Sequence, residues 1–197
     1  MLLSDLYLAN GAEPWSIPNV SDLPVIDFSF ADPNEEYVVY RRNPDTLARK
    51  QAIPGQPGLE HRVGGLEKDE SGGVSYDPDN HEEMTHLRAQ KVAAVANGIE
   101  PIQVNGKPEG DLIVVGWGGT YGAITSAVGH LQAEGFSVSS LHLRHLNPFP
   151  NDLEDILRSF KKVMVPELNM GQLSMLLRAK YLIDVIPCNK IQGQPFK

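Results

Sequence analysis

Apolar residues are unevenly spaced along this chain, and their spacing divides it into stretches of different character. From Asn10 to about Gly73 they follow no steady period and are interrupted by Pro and Gly, as in EPWSIPNVSDLP and IPGQPGLEHRVGG. So long a span with so little regular patterning argues against a free-standing fold. Ordered loops of this kind lie against other structure, as arms, lids or active-site walls. The opening MLLSDLYLAN reads as the last apolar strand of a domain whose remainder is not in this chain.

From Asp79 the pattern becomes periodic. DPDNHEEMTHLRAQKVAAVANG predicts a helix capped by Asp79 or Asn80, with Glu82 and Glu83 in its first turn, ending at Gly98. Its apolar face, Met84, Leu87, Ala94 and Val95, is only approximate. A compact alternation follows. Leu112–Val115 predicts a buried strand; Tyr121, Ile124, Ala127, Val128 and Leu131 fall at helical spacing; Phe136–Leu143 alternates as a second strand. Asn151 or Asp152 caps a helix carrying Leu153, Ile156, Leu157 and Phe160. Lys161–Pro166 is a third strand, GQLSMLLRAKYL a further helix, and Ile183–Ile186 a last short strand. Strands alternating with helices imply parallel pairing through right-handed crossovers. The expected fold is a three-layer α/β domain over roughly 98–192 with a mostly parallel sheet.

Composition narrows the partners. The chain has 197 residues, is 41% hydrophobic and 21% charged, and carries a formal charge of -8, a balance that disfavours nucleic acid and anionic membranes. No apolar run approaches the roughly 20 residues of a membrane span, and the N-terminus lacks a basic signal region, so a cytoplasmic location is expected. The single Cys188 excludes an internal disulfide, a thiolate zinc site and a cysteine-held iron–sulfur cluster on this chain.

The glycine turn in DLIVVGWGGTYGA tests for a nucleotide site. Gly116 and Gly118 match a dinucleotide fingerprint, but Tyr121 stands where the third glycine permits close helix–strand packing. The next strand ends without an acidic residue for a ribose, and no P-loop lysine follows. The glycines therefore read as a βα turn of close backbone approach, with anion binding at the helix start as the alternative. His142 and His145 flank Arg144 at a strand end, a sheet edge where ligands collect, but no metal-ligand pattern accompanies them. In PELNMGQL, Glu167, Asn169 and Gln172 put polar groups at a strand-to-helix junction, suited to a helix cap or an interface. Arg49, His61 and Arg62 place cations beside Pro/Gly turns, the last two next to Gly64-Gly65. An acidic chain with cations in such a loop suits an anionic substrate, because arginine binds a carboxylate through two parallel bonds. Surface ion pairs are the competing reading.

IPGQPGLEHRVGGLEKDESGGVSYDPDNHEEMTHLRAQK, DLIVVGWGGTYGA, LHLRHLNPFP and VPELNMGQL, in this order, resemble the alpha subunit of 2-oxoacid:ferredoxin oxidoreductases, the 2-oxoglutarate type above all. The resemblance covers essentially the whole chain; it departs at Gly119, where family members often carry serine. Family alpha subunits are much longer, with a gamma-like and a thiamine-pyrimidine-type domain before one similar to the transketolase C-terminal domain. By that likeness residues 1–10 end the pyrimidine-type domain, 11–78 form a connecting arm, and 79–197 hold a helix and the transketolase-like domain. The family's YPITP-like substrate motif is absent, so the chain is expected to be inactive alone.

The resemblance implies oxidation of 2-oxoglutarate with coenzyme A to succinyl-CoA and carbon dioxide, electrons passing to ferredoxin. A beta subunit would carry thiamine diphosphate, Mg2+ and a [4Fe–4S] cluster, with no cofactor or metal held by this chain. Arg49 would contact the substrate carboxylate; His61, Arg62, Gly64 and Gly65 would line or position that wall. Glu167, Asn169 and Gln172 would pack domains or subunits, without proton transfer. A dicarboxylate calls for a second cation, which the sequence does not locate. The alternatives are a noncatalytic assembly domain, or specificity for pyruvate or a branched-chain 2-oxoacid.

Overall fold

The computed structural model describes residues 14, 16–26 and 28–196, so the strand expected at 1–10 lies outside the described residues. Two compact units stand out, one of residues 16–95 and one built on residues 96–196.

In the first unit, the segment before the helix is made of turns, a short 3-10 helix (Val20–Asp22) and isolated bridges. Its helix, α1, runs Pro78–Ala94 and starts earlier than the sequence pattern suggests. Asp77, rather than Asp79 or Asn80, is the cap, its side chain accepting from Asp79 N and Asn80 N. The reason lies in Pro78, whose fixed φ suits the first helical position and whose missing N–H is not needed there. Met84 is the buried residue of α1. The polar faces tie the helix down instead: Asn80 Nδ2 donates to Lys68 O (3.3 Å), and Arg88 and His81 both meet the Glu67 carboxylate.

The second unit is a four-stranded parallel sheet. Its strands are β1 (Gly110–Trp117), β2 (Val138–Leu143), β3 (Phe160–Glu167) and β4 (Val185–Asn189), in the order β2-β1-β3-β4. Three helices connect them in turn: α2 (Tyr121–Ala133), α3 (Leu153–Arg158) and α4 (Gln172–Tyr181). Strand side chains alternate between two faces. Ile113, Val115, Val163 and Val165 face one core with Leu153 and Leu157 of α3 and Leu173 and Leu177 of α4. Val114 and Val138 face another core with Ile124 and Val128 of α2. Both faces of the sheet are thus covered, which is why β1 reads as an unbroken apolar run.

Several boundaries moved. Phe160, expected on the third helix, begins β3: α3 ends at Arg158, and Phe160 is buried opposite Gly110 in the β1–β3 ladder. The second strand starts at Val138, not Phe136. Phe136 N and Gly135 N close the end of α2 onto Leu131 O and Gln132 O, a helix stop that leaves Phe136 exposed. β4 reaches Asn189 because its pairing with β3 continues to Glu167. Tyr121, placed on the apolar face of α2, is 59% exposed. No described helix is long and apolar enough to cross a membrane.

Candidate functional site

Strand order determines where ligands and partners meet a sheet of this kind. β1 leads into α2 on one face, whereas its neighbour β3 leads into α4 on the other. Connections that part in this way open a crevice beyond the carboxyl ends of the two strands, the usual binding edge of an open α/β sheet.

Glu167 and Trp117, the last residues of β3 and β1, join across that crevice. The indole Nε1 donates to Glu167 Oε1 at 3.3 Å. The same oxygen accepts from Leu173 N (2.8 Å), while Oε2 accepts from Ser174 N (3.1 Å) and Ser174 Oγ (3.0 Å). Two bonds to each oxygen fill the in-plane positions of a wholly buried carboxylate. Asn169 completes the junction, its Oδ1 accepting from Gly171 N (2.8 Å) and Gln172 N (3.0 Å). Together Glu167 and Asn169 satisfy the amides that a helix start leaves without partners. Gln172 is exposed and contributes its backbone here.

The glycine turn sits on the other side of the crevice. Gly118 takes φ 55°, a left-handed value. Thr120 Oγ1 fastens the turn, donating to Trp117 O (2.8 Å) and accepting from Trp117 N (3.2 Å). A Cβ on Gly116 would lie 2.6 Å from Ile124 Cδ1 and 3.1 Å from His142 Nδ1. Close packing of strand on helix therefore falls to Gly116, and Tyr121 does not obstruct it. That ring turns outward and meets the His142 ring edge-on at 5.1 Å. His142 titrates below the usual imidazole range, through burial first and the Arg144 charge second. Arg144 and His145 are exposed. Beside this edge, Met170, Met175, Arg178, Pro187 and Asn189 line an open groove of about 480 Å³.

The cation-bearing segment belongs to the first unit. Arg49 lies 4.3 Å above the Tyr40 ring, a stacking that orients its guanidinium. Arg42, which the sequence pattern did not single out, is bridged to Arg49 through the backbone. The cationic pairs RR and RK flanking the turn NPDTLA were the available signal. Burial, then the charges of Arg49 and Arg88, draw Arg42 below the usual guanidinium range. His61 Nδ1 lies 3.0 Å from Leu59 O and therefore carries the proton donated there; its ring packs edge-on to Tyr37. Arg62, Gly64 and Gly65 are exposed. Just behind them Lys68, 2% exposed, donates to Leu66 O at 3.1 Å. Nothing in the sequence marked Lys68 as buried. Hydrogen bonds from Arg88, then His81, hold the Glu67 carboxyl below its usual range. Among the described residues no group of three or more His, Cys, Asp or Glu is placed to hold a metal ion.

Residues 110–194 match the family model of the pyruvate:ferredoxin oxidoreductase core domain II. Over its whole length the chain is 48% identical to the 2-oxoglutarate oxidoreductase subunit KorA of Mycobacterium tuberculosis, covering 30% of that protein. A solved 2-oxoglutarate:ferredoxin oxidoreductase from Magnetococcus marinus, with 2-oxoglutarate, coenzyme A and succinyl-CoA bound, superposes on 91% of the chain with a TM-score of 0.84 and 34% identity. The chain is homologous to the C-terminal portion of 2-oxoacid:ferredoxin oxidoreductase alpha subunits. A further alpha subunit, 2-oxoacid:ferredoxin oxidoreductase 2 of Aeropyrum pernix, is 36% identical over 68% of the chain, which covers 22% of it. The chain spans about a third of the M. tuberculosis and M. marinus relatives, 30% and 32%. The parallel sheet and its glycine turn fall in the segment matched to core domain II, and Arg49 and His61 lie outside it.

Proposed function

We propose that this chain is part of the alpha subunit of a 2-oxoglutarate:ferredoxin oxidoreductase, which with a beta subunit converts 2-oxoglutarate, coenzyme A and oxidised ferredoxin into succinyl-CoA, carbon dioxide and reduced ferredoxin. The observation that carries this reading is the 48% identity, end to end, with the M. tuberculosis subunit. In the same reading, residues 11–78 are a connecting arm and the sheet unit corresponds to a domain similar to the transketolase C-terminal domain.

Within that assembly the chain's own part is binding and orientation. Arg49, pre-oriented by Tyr40, grips a substrate carboxylate. His61, with Nδ1 engaged by Leu59 O, presents Nε2, and Arg62 adds charge beside the Gly64-Gly65 turn. Glu167 and Asn169 hold the start of α4, and with Gln172 they shape a packing surface rather than move protons. Thiamine diphosphate, Mg2+ and the [4Fe–4S] cluster belong on the beta subunit. The side chains here do not suit those groups: a single cysteine cannot ligate a cluster, and the carboxylate at the sheet edge already holds four hydrogen bonds. A broader 2-oxoacid specificity is the second reading, favoured by the identity with the A. pernix subunit.

The test is co-expression of a full-length alpha subunit carrying this segment with its beta subunit, followed by 2-oxoglutarate- and coenzyme A-dependent reduction of ferredoxin. Arg49→Ala is expected to raise the KM for 2-oxoglutarate by about 10- to 100-fold, the worth of a charge-assisted bond pair. Unchanged KM and turnover would reject Arg49 as a substrate contact, and a complex inert towards every 2-oxoacid would reject the function itself.

A further inference from the structure

Between Arg42 and Arg49 the chain makes a tight hairpin. Asn43 N donates to Ala48 O and Leu47 N to Asn43 O, both at 2.8 Å. Asn43 Oδ1 accepts from Asp45 N and Thr46 N, both at 2.9 Å. So pinned, the turn sets Arg42 and Arg49 directly opposite each other as an antiparallel bridge. Opposed residues in such a pair stand about 5 Å apart at Cβ, and like charges there repel.

Three other cations of this unit have acidic partners. Arg41 meets Glu36 (3.1 Å) and Glu70 (3.8 Å), Lys50 meets Glu35 (2.7 Å), and Arg88 meets Glu67 (2.8 Å). Among the described residues, neither Arg42 nor Arg49 has a carboxylate oxygen within 4.0 Å. Glu83 acts on Arg42 only from beyond that range. What holds the two guanidiniums is Tyr40: its carbonyl lies 3.4 Å from Arg42 Nη1, and its ring lies under Arg49. Among the described residues, the other hydrogen-bond partner of Arg42 Nη1 is Met84 Sδ at 3.5 Å, a weak acceptor. Two oriented forks are thus kept together against their repulsion, with donors to spare.

One fork is enough for one carboxylate, whose two oxygens take its two parallel N–H bonds. A second fork without an acid beside it calls for a second anionic group. We propose that Arg42 and Arg49 form a clamp for a dianionic 2-oxoacid, Arg49 on one carboxylate and Arg42 on the other. Arg42 thereby selects a dicarboxylate over a monocarboxylate. The inference rests on the proposed function, which puts Arg49 at the substrate.

The test uses the purified alpha–beta complex with R42Q, R49Q and R42M, the last keeping an apolar stem against Met84. R42Q is expected to raise the KM for 2-oxoglutarate by about 10- to 100-fold while that for 2-oxobutyrate changes by less than about 3-fold. R49Q should weaken both substrates. Equal losses on both substrates in R42Q and R42M, or no loss on either, would overturn the clamp. Calorimetry with the unreactive acids gives a second readout: glutarate should bind the wild-type complex at least about 10-fold more tightly than butyrate, and R42Q should abolish the difference. Equal affinity in the wild type would also overturn it. A complex that prefers glutarate through Arg42 but does not oxidise 2-oxoglutarate would refute the oxidoreductase reading and leave the clamp standing. Oxidation of 2-oxoglutarate unaffected by R42Q would do the reverse.

Discussion

Replacing Glu167 by glutamine keeps the shape of the side chain and removes one acceptor, so it isolates what the carboxylate does at the β3–α4 junction. Four donors converge on it: Trp117 Nε1 and Leu173 N on one oxygen, Ser174 N and Oγ on the other. The better placement of the glutamine leaves its carbonyl towards Trp117 and Leu173. Its NH2 then faces Ser174, whose hydroxyl can turn to accept while its backbone N–H cannot. A buried N–H without an acceptor costs about 1–3 kcal/mol. Losing the charge also weakens the two surviving bonds, since charge-assisted bonds are about twice as strong as neutral ones. A loss of about 2–4 kcal/mol is expected for E167Q, and about 3–5 kcal/mol for E167A, which leaves every donor unmatched around a cavity. Against a typical stability of about 5–15 kcal/mol these are large effects. Urea unfolding followed by circular dichroism and tryptophan fluorescence measures both, with S174A, which removes only the hydroxyl donor, expected to lose about 1 kcal/mol. E167Q and E167A both within about 0.5 kcal/mol of wild type would refute the claim that this carboxylate holds the junction.

Other consequences can be checked on the same protein. G116A sets a methyl group 2.6 Å from Ile124 Cδ1, so it should cost about 1–3 kcal/mol in urea unfolding. I124V removes the clashing carbon, and a double mutant whose loss is simply the sum of the singles would show that the clash is not the cause. His142 has a folded-state pKa below its unfolded value near 6.5, so the unfolded chain takes up the proton first. Its contribution to stability is therefore complete above that value and shrinks as pH falls through it towards the lower folded value. Thermal unfolding between about pH 5 and pH 8 should lose this slope in H142N, and parallel profiles for the two proteins would count against the half-buried, neutral imidazole.

Legibility in the sequence followed the range of the interactions. The βα alternation was readable because a strand buried on both faces is a continuous apolar run, and because Gly and Pro mark the breaks between elements. Where a boundary was misjudged, a contact distant in sequence decided it. Phe160 suits the helical spacing of Leu153 and Leu157, yet pairing with Gly110 draws it into β3. Tyr121 fits the face of Ile124 and Val128, but the close approach of α2 to Gly116 leaves the tyrosine outside, against His142.

The cation-rich loop could be recognised from composition alone, since Arg49, His61 and Arg62 stand beside Pro/Gly turns in an acidic chain. That Arg42 faces Arg49 could not, because it depends on the geometry of one turn, in which Asn43 binds the backbone on both sides. The same division holds for the sheet. Local pattern by itself determined that there are strands, that they run parallel and that helices separate them. Only the tertiary structure decided the order β2-β1-β3-β4, and with it the meeting of Trp117 and Glu167 across the crevice. Any buried apolar strand can hydrogen-bond with any other; which neighbours it takes is settled by how the crossovers pack on the two faces, and no short stretch of sequence carries that information.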